Sequence, residues 1–188
     1  MLNPNNNPGR GAGQYRIDHS YIKPRRRWYD ARPILFHALE LLESVPHEVC
    51  VIVAGEINHF AEAEYGAHRL MEQSELKNIG KEKVLALYRS KNRQRHLDQC
   101  AALHKLLNYL FVLPEKQQYS LATQILGVSA IVYDYCSTCR VFEREPQVDE
   151  IRRLSNLYFG SGIDGAKGAL ELLKAELRLM AANRMPVT

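Results

Sequence analysis

Two short basic segments of this chain have residue types that suit phosphate binding. They are Lys23, Arg25, Arg26 and Arg27 in the first segment and Lys91, Arg93 and Arg95 in the second. Guanidinium groups bind phosphate oxygens through paired hydrogen bonds. Rings of the kind that stack on nucleic-acid bases follow both segments: Trp28 and Tyr29 after the first, and His96 after the second. The pattern predicts contact with a nucleic-acid backbone, DNA or RNA.

The same arginines have two other interpretations. Arg27 stands three residues before Asp30, and Arg95 three before Asp98, so each pair could form a local ion pair that only fixes a loop. A basic cluster also suits an acidic protein surface. The sequence leaves a nucleic acid, a structural pairing and an acidic protein partner open.

The two basic segments belong to a longer pattern that recurs at an offset of 68 residues. Beyond the basic residues, identical positions include Leu35 and Leu103, Leu39 and Leu107, Leu42 and Leu110, and Pro46 and Pro114. Leucines at this spacing line one face of a helix, and a proline suits the first turn of the next. The recurrence predicts two pseudo-repeats, 23–78 and 91–146, each with a basic segment followed by a helical hairpin, in which a proline separates a helix from a longer one.

Helical periodicity runs through most of the chain, and no stretch alternates as a strand would, so the predicted fold class is all-α. Asp30 and Asp98 are the expected N-caps of helices over 31–44 and through Leu110. The others are expected over 46–71, with possible bends at Gly55 and Gly66, over 114–141, with a possible bend at Gly127, and over 80–90, 148–159 and 163–183. Residues 1–20 are predicted to be a disordered arm, and 21–188 a single domain.

The last predicted helix carries an apolar stripe at three- and four-residue steps. Its members are Ile163, Ala166, Leu170, Leu173, Leu177 and Met180, with Leu172 and Leu179 expected to widen it. Such a stripe packs either on the body of the protein or on a partner helix. The width favours packing on the body, and a homodimer or a protein partner through 163–183 is the alternative.

Three weaker patterns bear on metal, redox or groove-binding chemistry. Glu56 and His59 have the Glu-x-x-His spacing of di-iron bundles, but the residues 68 positions later are Gln124 and Gly127, so no second motif completes a metal site. Cys136 and Cys139 have redox spacing but fall late in a helix, so they and the lone Cys50 and Cys100 are expected to be buried packing residues. Residues 122–129 resemble a helix-turn-helix turn imperfectly.

Composition sets the class of protein. The chain has 188 residues, 46% hydrophobic and 24% charged, with a net charge of +4, which is typical of a globular domain. No apolar run is long enough for a membrane span and no secretion signal is expected, which predicts a cytoplasmic protein.

The function predicted first is a non-enzymatic regulatory protein that binds nucleic acid and uses no cofactor or metal. A protein-interaction adaptor is second, and a helical metal-dependent enzyme third.

Overall fold

The computed structural model describes Tyr29 and residues 32–73 and 100–183. Within these ranges the chain forms α-helices and no strand, which confirms the all-α prediction. The helices are α1 (Pro33–Glu43), α2 (His47–Tyr65), α3 (Ala67–Gln73), α4 (Ala101–Val112), α5 (Glu115–Val141) and α6 (Val148–Ala182). The predicted arm over 1–20, the helix over 80–90 and the caps Asp30 and Asp98 lie outside the described residues.

Prolines and a glycine set several of the helix ends. Pro46 and Pro114 are the N-cap residues of α2 and α5, with φ of −51° and −55°. Gly66 ends α2 in the left-handed region at φ 59°, where a residue with a Cβ is strained, so α3 is a separate helix. The helix predicted over 46–71 is therefore two helices, which meet at Gly66, one of the two positions where a bend was expected; α2 is continuous through Gly55, the other position. The N-cap of α1 is Arg32, two residues after the expected Asp30.

The two halves of the chain exchange packing partners. We expected α1 to pair with α2 as a hairpin, but α1 packs mainly on α5, and α4 packs mainly on α2 and α3. Helix starts nevertheless keep the 68-residue offset, since α1 and α4 begin at Pro33 and Ala101 and α2 and α5 begin at His47 and Glu115. Each first helix therefore lies against the long helix of the other half. Whether the halves arose by duplication stays a prediction.

Both exchanged pairs run parallel. Arg32 and Leu35 of the α1 start share a crevice with Gln118 of the α5 start. Pro46, after the end of α1, lines a cavity with Cys136 near the end of α5. In the other pair, the Asn58 side-chain amide donates to the Ala102 carbonyl at 2.8 Å.

Helix α6 reverses direction along α5 at one residue. Gly162 has φ 76° and ψ −173°, a conformation open almost only to glycine, so α6 consists of an N-terminal part (148–161) and a C-terminal part (163–182). Tyr158 of the first part contacts Gly127 of α5, whereas Lys174 of the second part reaches Asp134, further along α5. The predicted break between helices 148–159 and 163–183 is thus confirmed. We refer below to the C-terminal part as α6C.

One apolar core joins all six helices, with α5 at its centre. The bend expected at Gly127 is absent, because α5 is continuous over Glu115–Val141. Gly127 is needed for a different reason: a Cβ there would lie 1.9 Å from the Tyr158 hydroxyl oxygen. The same continuity rules out a helix-turn-helix turn over 122–129. Among the described residues, no helix combines the length and apolar character required to cross a bilayer.

Candidate nucleic-acid interface

The starts of α1 and α4 are the described parts of the chain closest in sequence to the two basic segments. Each of these starts lies against the long helix of the other half: Arg32 shares a crevice with Gln118 of α5, and the Ala102 carbonyl of α4 accepts a hydrogen bond from the Asn58 side chain of α2. Burial first, and Cys100 second, raise the pKa of Cys50 to about 12. The α1 start therefore lies beside the first turns of α5, whereas the α4 start reaches the middle of α2.

Within the described residues, no acidic group lies at the start of α1 or α4. Neither helix has a side-chain hydrogen bond at its described N-cap or an acidic residue in its first turn. In contrast, α2 and α5 carry Glu48 and Glu115 in the first turn, and α6 carries Asp149 and Glu150. A helix N-terminus has about half a positive charge and unpaired N–H donors. No described residue in the first turn of α1 or α4 therefore offsets that charge.

Both starts are at the surface. Pro33 and Ile34 of α1 are exposed, as is Ala101 of α4, while the next-turn residues Leu35 and Leu103 are buried. The leucines fix each helix to the core and leave its first backbone N–H groups close to solvent. An external anion can approach these groups.

Of the ten residues predicted to bind nucleic acid, only Tyr29 belongs to the described part of the chain. It is 3% exposed within the core, and its carbonyl accepts a hydrogen bond from the Arg32 backbone N–H at 2.9 Å. Its ring is therefore not available to stack on a base in this conformation. The other nine predicted residues lie outside the described residues: Lys23, Arg25, Arg26, Arg27, Trp28, Lys91, Arg93, Arg95 and His96.

A polar cluster that sequence analysis missed joins α2 to α4. Glu62 Oε1 lies 2.6 Å from Lys105 Nζ and accepts a hydrogen bond from the Tyr109 hydroxyl at 2.6 Å. The Lys105 and Tyr109 hydrogen bonds lower the pKa of Glu62. Burial, and then Glu62, raise the pKa of Tyr109. The residues are more than 40 positions apart, so no spacing rule could have found them.

The two residues considered for a metal site, Glu56 and His59, lie before Glu62 on the same helix, α2. His59 Nδ1 is 3.9 Å from Glu56 Oε2, and Arg152 of α6 approaches the other oxygen of Glu56 at 3.8 Å. An arginine on a carboxylate competes with a cation for the same oxygens. No group of three or more metal-binding side chains occurs in ranges 32–73 and 100–183 or at Tyr29.

The four cysteines are free and buried, as predicted. Burial is the main cause that raises the pKa of Cys136 to about 11, and it also raises that of Cys139. A thiol with a raised pKa is mostly protonated at neutral pH and is a poor nucleophile. The pair therefore acts as small apolar packing residues on α5.

An open cavity of about 320 Å³ lies where α5 ends, beside Pro46. Its charged lining is Arg140 and Arg144 together with Glu143 and Glu145. The two charges of each sign offset one another, so the lining selects neither an anion nor a cation. This cavity gives no specific chemistry.

Comparisons of the chain with protein-family models, with curated proteins and with solved structures find no match. The functional argument therefore depends on the residues and geometry described above.

Proposed function

We propose that this protein is a non-enzymatic regulatory protein that binds a nucleic-acid backbone through segments 23–27 and 91–95. The observation that carries the proposal is the matched pair of helix starts. Both α1 and α4 follow a basic segment, begin at the surface, and lack an acidic residue or a side-chain cap in the first turn. Arginines next to helix N-termini provide two kinds of donor for phosphate oxygens.

Several basic residues elsewhere on the described surface are paired with carboxylates. Lys105, Arg153 and Lys174 each contact a carboxylate at 2.6 to 3.4 Å. Such pairing reduces the attraction of those surfaces for a polyanion. The basic segments, with at most one acidic residue within three positions, keep the highest local positive charge in the sequence. A backbone contact of this kind is sequence-independent and salt-dependent.

The proposal is tested by binding to fluorescent single- and double-stranded oligonucleotides over a range of salt concentrations. Changing Arg25, Arg26 and Arg27 to glutamate is expected to weaken binding at least about tenfold and to flatten the salt dependence, since fewer counterions are released. Changing Arg93 and Arg95 to glutamate is expected to do the same. Either set of substitutions alone is expected to weaken binding, because the second segment meets the nucleic acid at high effective concentration once the first has bound it.

The control matches the change in net charge. Arg69, Lys116 and Lys167 are exposed residues on three other helices, and their triple change to glutamate removes the same charge as the first variant. This control is expected to retain most of the affinity. Equal losses in the control and the arginine variants, or no binding by the unmodified protein at low salt, would overturn the proposal.

A protein-interaction function is the second candidate, because Leu172 and Leu179 of α6C are 64% and 66% exposed. Single exposed leucines are common, but two that are seven residues apart lie on one line along a helix.

A further inference from the structure

The outer face of α6C carries an apolar line that nothing in the described structure covers. The buried residues Ala166, Ala169, Leu170, Leu173 and Leu177 attach α6C to the core. At 100° per residue, the line of Leu172 and Leu179 lies roughly 125° around the helix from that buried face. The two leucines were expected to widen the buried stripe, and that expectation is wrong.

Small residues complete this line at alternating three- and four-residue steps. It consists of Gly168, Leu172, Ala175, Leu179 and Ala182, which we call the outer seam. All five are exposed, and a Cβ placed at Gly168 would meet no atom within 4 Å, whereas a Cβ at Gly165 would lie 2.7 Å from the Ser161 Cβ, so the open seam begins at Gly168. The seam has the a/d spacing of a coiled coil and extends over about 21 Å of helix.

We propose that the outer seam binds the outer seam of a second copy of this chain, with the two α6C helices antiparallel about a twofold axis. In this arrangement each large residue lies opposite a small one. Leu172 faces the partner's Ala175, and Leu179 faces the partner's Gly168. The alternation of large and small residues permits two helix backbones to approach closely.

Charges beside the seam favour this register over its neighbours. Glu171 and Arg178 precede the two leucines and are exposed, and in the proposed register Glu171 lies across from the partner's Arg178, twice in the dimer. A shift by one heptad toward the C-terminus brings Arg178 against the partner's Arg178. A shift toward the N-terminus brings Glu171 against the partner's Glu171. Like charges across a seam oppose pairing, so one register has both matched sizes and matched charges.

The existing contacts of Glu171 are compatible with this role. Its carboxylate bonds to Lys174 at 2.9 Å within α6C and is 64% exposed, so its outer side remains accessible. Lys174 also bonds to Asp134 at 2.8 Å and keeps that partner in the dimer. One pair of helices is a small interface, so dimerisation is expected to depend on protein concentration.

The test is sedimentation velocity of the full chain from low micromolar to several hundred micromolar. The unmodified protein is expected to pass from one to two chain masses. Glu171→Arg and Arg178→Glu, made singly, are each expected to raise the dissociation constant at least about tenfold, because both cross-seam pairs become repulsive. The double variant E171R/R178E restores the attraction in reversed polarity and is expected to dimerise within about threefold of the unmodified protein.

Two further variants check the packing. Gly168→Leu places a side chain where the partner's Leu179 would lie, in space that is open in the single chain, and is expected to abolish the dimer without lowering the melting temperature. Lys167→Glu changes an exposed charge away from the seam and is expected to leave the dimer unchanged. A chain that is monomeric at every concentration, or a dimer insensitive to G168L and to the charge reversals, would overturn the proposal.

Discussion

At the scale of single residues, the contacts of Glu62 make stability depend on pH. Hydrogen bonds from Lys105 and then Tyr109 lower its pKa in the folded protein. A carboxyl with a lowered folded pKa stabilises the fold fully above its unfolded pKa of about 4.3. That contribution is lost as the pH falls through the folded pKa.

Glu62→Gln is expected to reduce the free energy of unfolding at pH 7 by about 1 kcal/mol, a value discounted for partial exposure of the carboxylate. As the pH falls through the folded pKa of Glu62, the difference from the unmodified protein is expected to shrink and then vanish, because both then carry a neutral side chain. Urea unfolding at pH 7 and at a series of lower pH values measures it. Glu64→Gln on the same helix, at an exposed position, is the control, and an equal loss in both variants would contradict the role of the cluster.

Gly127 is a second position where a single added atom, the Cβ of alanine, is expected to change stability strongly. An alanine Cβ there would lie 1.9 Å from the Tyr158 hydroxyl oxygen and 2.5 Å from the ring carbon that bears it. Gly127→Ala is expected to lower the free energy of unfolding by about 1–3 kcal/mol despite the better helix propensity of alanine.

The control for Gly127→Ala is Gly55→Ala in α2, where a Cβ meets no atom within 4 Å. It is expected to raise stability by up to about 1 kcal/mol. Combining G127A with Tyr158→Leu relieves the overlap, so the double variant should lose less than the sum of the two single losses in chemical unfolding. Strict additivity would show that the two residues do not meet.

At the scale of elements, the turn within α6 depends on the backbone of Gly162. Its φ of 76° and ψ of −173° lie in a region that costs other residues about 1–3 kcal/mol. Gly162→Ala is expected to lower the melting temperature accordingly, measured by circular dichroism. Gly160→Ala, two residues earlier with open space around its Cβ, is expected to raise it slightly. A melting temperature unchanged by G162A would mean that the chain can turn there without glycine.

The ends of elements were predictable where local chemistry decides them. Residue type alone decides the backbone conformation at three positions: Pro46, Pro114 and the glycine of the 161–164 segment. The starts of α2 and α5 and the break in α6 were therefore predicted correctly. Gly127 was interpreted wrongly because an interior glycine signals either a bend or a close contact. Only the position of Tyr158, on another helix, decides between them.

The apolar stripe of α6C likewise combines residues whose burial the sequence predicts with residues whose exposure it does not. Ala166, Leu170, Leu173 and Leu177 are buried as predicted, because helical periodicity alone defines that face. Ile163 and Met180, at the two ends of the stripe, are 44% and 48% exposed. Periodicity shows which face is apolar and does not show how far along that face burial continues.

At the scale of the whole molecule, the exchange of partners between the halves was not predictable. Leucine spacing required α1 and α4 each to bury one face, but a hairpin with the next helix and a pairing with the distant half satisfy it equally. The basic segments have a similar ambiguity. Tyr29 lies close to three arginines in sequence and has a ring of the kind that stacks on bases. Its side chain is nevertheless buried in the core, which no local pattern could indicate.

The dependence of the whole fold on α6C gives the last prediction. Leu170, Leu173 and Leu177 are at least nine-tenths buried against the body. At about 1.5–3 kcal/mol each, they contribute up to about 5–9 kcal/mol, against a total stability of about 5–15 kcal/mol for a domain of this size. Deleting residues 163–188 is therefore expected to unfold or aggregate the protein, as measured by loss of the cooperative thermal transition and by binding of a hydrophobic dye.

The matched control for the deletion keeps α6C and removes only its outer leucines. Leu172→Ala combined with Leu179→Ala changes side chains that are 64% and 66% exposed. Surface truncations of this kind alter stability by about 0.5 kcal/mol or less, so the melting temperature at low concentration should hardly change. The two variants then distinguish the roles of the two faces of α6C. Loss of the inner face unfolds the chain, whereas loss of the outer leucines leaves a folded monomer. A soluble, cooperatively melting protein lacking 163–188 would show instead that the body folds without α6C.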